Sequence, residues 1–214
     1  MKKIFFCILI CASIFTVNAQ DRTSDAPKKN MNGWDYYSAG RYQDSLNALI
    51  KEKKIFPDRI NIYVIMAWNY RELKNYTEME TISLEGLKYQ PTDTRILKNL
   101  AEAYFFQKKY QDSANTFEKY IKYKFSWNDP YLSYSYYYLG ICYYYLQHYR
   151  KADIALSTAI YYVPKNFNTL ILLAEIKEIL GEFNKARSLF VKAGQIAPNN
   201  KRVNDGLARI KDKV

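Results

Sequence analysis

One histidine, three cysteines and seven glycines are all that the 214 residues hold of the types most enzyme sites are built around. Hydrolytic triads, metal clusters and phosphate-cradling loops need such residues at fixed spacings, and none of those spacings occurs. His148 lies in the turn Gln147-His148-Tyr149, where a solvated polar residue is expected. Cys142 adjoins Tyr143 and reads as a small buried apolar group rather than a nucleophile. The sequence therefore predicts no catalytic residue, no metal and no cofactor. Acids are also scarce, at 21 against 32 Lys and Arg, giving a net charge of +11.

The N-terminus is set apart by composition. Lys2 and Lys3 precede an uncharged, mainly apolar run from Ile4 to Val17, and Val17-Asn18-Ala19 ends on a small residue. This pattern resembles a secretory signal peptide over residues 1–19, cut after Ala19. A membrane helix needs about 20 apolar residues, so the run is too short to span comfortably. An uncleaved N-terminal anchor is one alternative. A lipid on Cys11 is another, although Ile10 stands where that motif wants a small residue. Removal of Lys2 and Lys3 leaves 30 basic and 21 acidic residues, a diluted positive excess. Export makes anionic envelope surfaces or an acidic protein better counterparts than nucleic acid. Only Cys142 would remain, so no internal disulfide can form and stability must come from packing.

What the chain has in abundance is aromatic residues in step. The tetrapeptide Tyr-Gln-Asp-Ser occurs at Tyr42 and again at Tyr110, and the beat continues as Tyr42, Tyr76, Tyr110, Tyr149 and Phe183. The intervals are 34 residues, except for one of 39 between Tyr110 and Tyr149. Pro57, Pro91, Pro164 and Pro198 each follow their aromatic by fifteen residues, with Phe125 at the third place. Small residues keep the same time: Ala67, Ala101, Gly140 and Ala174 in one set, and Ala152, Ala159, Ala186 and Ala193 in another. Helices can approach closely where side chains are small, and a proline stops a helix.

A 34-residue period carrying these residues resembles the tetratricopeptide repeat. The resemblance implies an all-α fold, a right-handed superhelical solenoid of five helix pairs plus a C-terminal capping helix. The expected organisation is a polar segment at 20–30, a weak first repeat at 26–59, and repeats at 60–93, 94–127, 128–166 and 167–200. A cap follows at 201–214, with Val203, Leu207, Ile210 and Val214 on one face. The polar stretch Asp25 to Asn32 predicts a short first helix, and Lys177, in an aromatic slot, predicts looser packing in the fifth repeat. The extra residues before the fourth repeat contain Asp129-Pro130, a helix start, with a helix from Pro130 to Leu146 and Trp127 in the connecting loop.

In this family the first helices of successive units line the concave surface. Read by phase, the inward residues are Trp34, Tyr37, Trp68, Arg71, Arg95, Lys98, Phe105, Phe106, Tyr134, Tyr137, Tyr144 and Tyr145. Asn61, Val64, Glu72, Glu102, Ile141, Asn168, Ile171, Glu175, Glu178 and Ile179 share that face. The set is aromatic in the middle, basic at one end and acidic at the other, a polarity that would orient a bound chain. Whether the tyrosines between Tyr131 and Tyr149 are open or covered by neighbouring repeats is left undecided by phase alone. Trp34 and Ile65 stand where family members that grip a terminal carboxylate carry asparagine, so that ligand is not expected. The reading is a non-catalytic scaffold of the cell envelope, periplasmic or envelope-associated. It has no membrane span in the mature chain and binds another protein or peptide. A carrier for an apolar or sugar-like small molecule is the alternative.

Overall fold

In the computed structural model, residues 32–124 and 130–213 are described, and all lie in one packed unit, residues 31–214. The proposed signal peptide, the polar segment, Trp127, Asp129 and Val214 lie outside the described residues. The fold class holds: eleven α-helices and a terminal 3-10 turn, with no strand among the described residues. They run α1 (Gly33–Ser38), α2 (Tyr42–Ile55), α3 (Ile60–Glu72), α4 (Tyr76–Tyr89), α5 (Thr94–Phe106) and α6 (Tyr110–Tyr123). Then come α7 (Pro130–Tyr145), α8 (Tyr149–Tyr162), α9 (Phe167–Ile179), α10 (Phe183–Ile196) and α11 (Lys201–Arg209). Each of the five recurring aromatics is the first residue of the second helix of a pair.

The turn inside each pair is the same object five times over. Gly40, Lys74, Lys108, Gln147 and Gly181 all sit at positive φ, between 59° and 75°. In the second repeat Lys74 N–H donates to Arg71 O and Asn75 N–H donates to Tyr70 O, and the other four turns repeat both bonds. This is a left-handed helix cap, which satisfies the carbonyls orphaned at the end of the first helix. Three first helices begin differently, on side-chain caps from Asn32, Asp93 and Asn166, whereas α3 has none, and Asn200 caps α11 in the same way.

Close approach inside a pair sets the next level. A Cβ added to Gly33 would lie 2.4 Å from Leu49, and one added to Gly140 would lie 2.6 Å from Leu156. Only a small residue lets these helices touch, which is why the set is glycine and alanine. Successive pairs then share cores. One holds Leu49, Tyr63, Ala67, Met79 and Ile96, another Phe117, Cys142, Leu156 and Ile176, and a third Ile171, Phe190, Val203 and Ile210. Lys177 does not loosen the fifth repeat. It is buried, and its Nζ lies 2.8 Å from Asp153 and 3.0 Å from Glu182. Both partners belong to neighbouring segments, so the charge is compensated where a ring was expected. At the C-terminal end Val203 and Ile210 are buried beneath the polar face of α11.

Candidate functional site

Six of the twelve site residues read from the sequence converge. Trp34, Tyr37, Trp68, Arg71, Arg95 and Lys98 line one open pocket of about 510 Å³, together with Thr94, Tyr120, Lys124 and Tyr131. They come from α1, α3, α5, the end of α6 with the residue after it, and the start of α7, so four first helices contribute. The aromatic wall is a triangle: Trp34 to Tyr37 and Tyr37 to Trp68 are each 5.7 Å between ring centroids, and Trp34 to Trp68 is 6.3 Å. Trp34 remains 50% exposed, an uncommon position for the largest apolar side chain.

Cations line the same pocket and are held by acidic partners. Glu102, fully buried in α5, accepts from Lys98 Nζ at 3.0 Å and Arg71 Nη1 at 3.4 Å. Arg71 also reaches Glu72 at 3.0 Å. Arg95 bonds to Asp93 at 2.7 Å and to Asn61 at 2.7 Å. Burial by itself would raise the Asp93 pKa. The Arg95 side chain and the Ile96 and Arg95 backbone N–H groups outweigh it and hold the carboxyl below its ordinary value. Lys98 Nζ also stands 4.9 Å over the Tyr131 ring and 5.8 Å from that of Tyr134. Burial, the charge of Glu102 and the neighbouring Tyr138 drive the Tyr134 pKa far up, so its phenol stays neutral.

The other six residues do not enter this pocket's lining. Tyr134 lies next to it through Lys98, and Tyr137 lies farther along α7, where it feels the charge of Arg202. Phe106 stacks on Tyr76 at 4.6 Å and Tyr145 stacks on Tyr110 at 4.4 Å. These two, at equivalent places in their helices, therefore bridge the seam with the preceding repeat while staying partly exposed. Phe105 packs edge-on against Tyr138 at 4.6 Å, and Tyr144 packs against Tyr145 and Tyr149. The undecided tyrosines are thus largely partnered by other rings. Val64, Glu102 and Ile171, read as inward-facing, are buried instead.

The expected acidic end is not bare. Arg202 reaches Glu175 at 2.8 Å, and Arg209 reaches Glu178 at 2.9 Å, both from α11. The capping helix thus balances those carboxylates, as Glu72, Asp93 and Glu102 balance the cations at the other end, and the expected bipolar groove gives way to ion pairs at both ends.

Four lining residues escaped sequence reading. Tyr131 is one helical turn ahead of Tyr134 on the extended α7. Tyr120 and Lys124 belong to the end of a second helix, which phase analysis of first helices ignores. A signal existed: Ala159 and Ala193 hold the place equivalent to Tyr120, ten residues after the leading aromatic. A large ring at a small-residue place marks a local change of spacing.

Among the described residues no group of three or more His, Cys, Asp and Glu side chains could hold a metal ion. No described helix is long and apolar enough to cross a membrane.

Residues 134–166, the fourth pair, match the tetratricopeptide repeat family model. No curated protein sequence matches the chain. Solved structures share the fold. A crystal structure of MamA superposes with a TM-score of 0.70 at 17% identity, covering 83% of this chain and 96% of that one. PilF of Pseudomonas aeruginosa gives 0.69 at 16% identity, covering 85% and 82%. The Cut9-Hcn1 hetero-tetramer of the APC/C gives 0.67 at 18% identity, covering 83% of this chain and 34% of that one. At these identities the likeness concerns the fold.

Proposed function

We propose that this chain is a non-catalytic protein-interaction scaffold that holds an extended segment of a partner protein across the first helices of its N-terminal repeats. The observation that carries the reading is the partly exposed Trp34, Tyr37 and Trp68 triangle lining one open pocket together with Arg71, Arg95 and Lys98. Aromatic rings with few rotamers bury a large contact area at low entropic cost, and fixed cations supply orientation. One protein of like fold, Cut9, is named as part of a hetero-tetramer with Hcn1, which agrees with the reading.

The protein is exported, on the basis of Lys2, Lys3, the apolar run to Val17 and the small Ala19. Its partner is then a component of the periplasm or envelope. N-terminal sequencing of protein from the envelope fraction is expected to begin at Gln20. A retained Met1 in soluble cytoplasmic protein would overturn that placement.

The binding test is crosslinked pull-down from envelope extracts followed by mass spectrometry. A Trp34→Ala, Trp68→Ala double variant is expected to lose the partner while circular dichroism keeps its helical signal. An unchanged set of captured proteins would sink the groove. The pocket volume also suits a small apolar or sugar-like ligand. Native mass spectrometry separates the two, since a carrier would show a small added mass and no bound polypeptide.

A further inference from the structure

We propose that the pocket selects a partner segment in which an aromatic side chain stands beside an acidic one, the ring seated on Trp34, Tyr37 and Trp68 and the carboxylate received by Arg95 and Lys98. This rests on the peptide-binding reading above and adds the chemistry of the partner.

The argument is one of depth. Two of the three carboxylates paired with the pocket's cations lie behind them: Glu102 is fully buried and the Asp93 side chain is 7% exposed, whereas the Arg95 side chain is 48% exposed and that of Lys98 14%. The acids fix where the guanidinium and ammonium groups point, and the donors are what a ligand meets. Arg95 spends one edge on Asp93 and one nitrogen on Asn61, which locks the guanidinium plane. A carboxylate arriving beside such a preorganised donor loses little of its binding energy to ordering. The aromatic part of the lining offers ring faces and edges suited to a partner's aromatic side chain.

Nucleic acid could use rings and cations too, but a strand needs a basic track that follows its backbone. Beyond this pocket the groove's next cations, Arg202 and Arg209, are matched by Glu175 and Glu178. In the pocket, too, Arg95 is paired with Asp93 and Lys98 with Glu102, so the face carries separate ion pairs rather than a basic track, which suits one acidic side chain and not a run of phosphates.

The test uses the full chain and fluorescein-labelled twelve-residue peptides in a serine background, read by fluorescence anisotropy. The central pair is Phe-Glu, Phe-Gln, Phe-Lys or Ala-Glu. Phe-Glu is expected to bind about tenfold or more tighter than Phe-Lys and Ala-Glu. In an Arg95→Gln, Lys98→Gln variant the preference for Glu over Gln is expected to fall within about twofold while the preference for Phe over Ala persists. Equal affinities for the three Phe peptides would overturn this inference and leave the scaffold reading intact. Absence of binding by every peptide would overturn both, and tighter binding of oligothymidylate than of Phe-Glu at the same salt would do so in favour of nucleic acid. The peptide-side comparison needs no protein variant, so a misfolded mutant cannot blur the outcome.

Discussion

Cys142 Sγ lies 3.4 Å from Ser113 Oγ, in the place where Asn69 Nδ2 lies 2.9 Å from Ser45 Oγ two repeats earlier. In both cases the serine hydroxyl also donates to a first-helix carbonyl, Ala101 O at 2.8 Å and Gly33 O at 2.6 Å. The duplicated Tyr-Gln-Asp-Ser tetrapeptide is thus a structural clasp between one first helix, its partner and the next first helix. Burial pushes the Cys142 thiol up to about 11. Native protein treated with iodoacetamide at pH 8 is expected to leave Cys142 unmodified on peptide mapping, with reaction only after denaturant. Rapid native labelling would contradict the packing at this clasp.

Removing the serine tests the clasp from the other side. Ser113→Ala removes the hydroxyl that gives the Ala101 carbonyl a second hydrogen bond and accepts one from the Cys142 thiol, and is expected to cost about 1–2 kcal/mol in urea unfolding. A change below about 0.3 kcal/mol would show the bonds to be incidental.

Gly140 and Leu156 make a second test. Gly140→Ala drives a methyl into Leu156 and is expected to destabilise by about 1–3 kcal/mol. Combined with Leu156→Ala, the loss should fall short of the sum of the singles, because the truncated leucine makes room. Additive losses would mean that the helices part rather than clash.

The five turns differ in what occupies their left-handed residue. Lys74, Lys108 and Gln147 hold a conformation that glycine adopts without penalty. Gln147→Gly is expected to stabilise or to be neutral, by up to about 1 kcal/mol, while Gly181→Ala should destabilise by about 1 kcal/mol. Thermal melts of the two variants read opposite signs.

Acid sensitivity follows from Asp93. Its folded pKa is depressed, so its stabilisation is fully present above the unfolded value of 3.8 and is lost as pH falls through the lower folded value. Asparagine keeps the helix cap and removes the charge. Asp93→Asn is expected to shrink the drop in Tm between pH 6 and pH 3. An unaltered drop would place the acid-labile groups elsewhere, Glu182 being the next candidate.

The repeat was legible because helix starts and close contacts need particular residue types. Tyr42 or Gly140 can be recognised without knowing what they touch. The pocket was legible only in part. Phase on one helix separates Phe105 from Phe106 by a single residue, yet what covers each depends on an adjacent repeat. Phe106 meets Tyr76 and so leaves the groove. Glu175 and Glu178 looked like an acidic end until α11 brought Arg202 and Arg209 against them. Long-range partners of charged tips leave no periodic trace. Tyr120 was missed because it breaks the period.

The 39-residue interval between Tyr110 and Tyr149 has a consequence for recognition. An array of uniform units would offer a guest strand the same cradle at every step, and the strand could slide along it. Tyr120 and Lys124, just before the irregular step, and Tyr131, just after it, help to line the pocket. Five residues of irregularity thereby turn a ruler with identical marks into one with a zero.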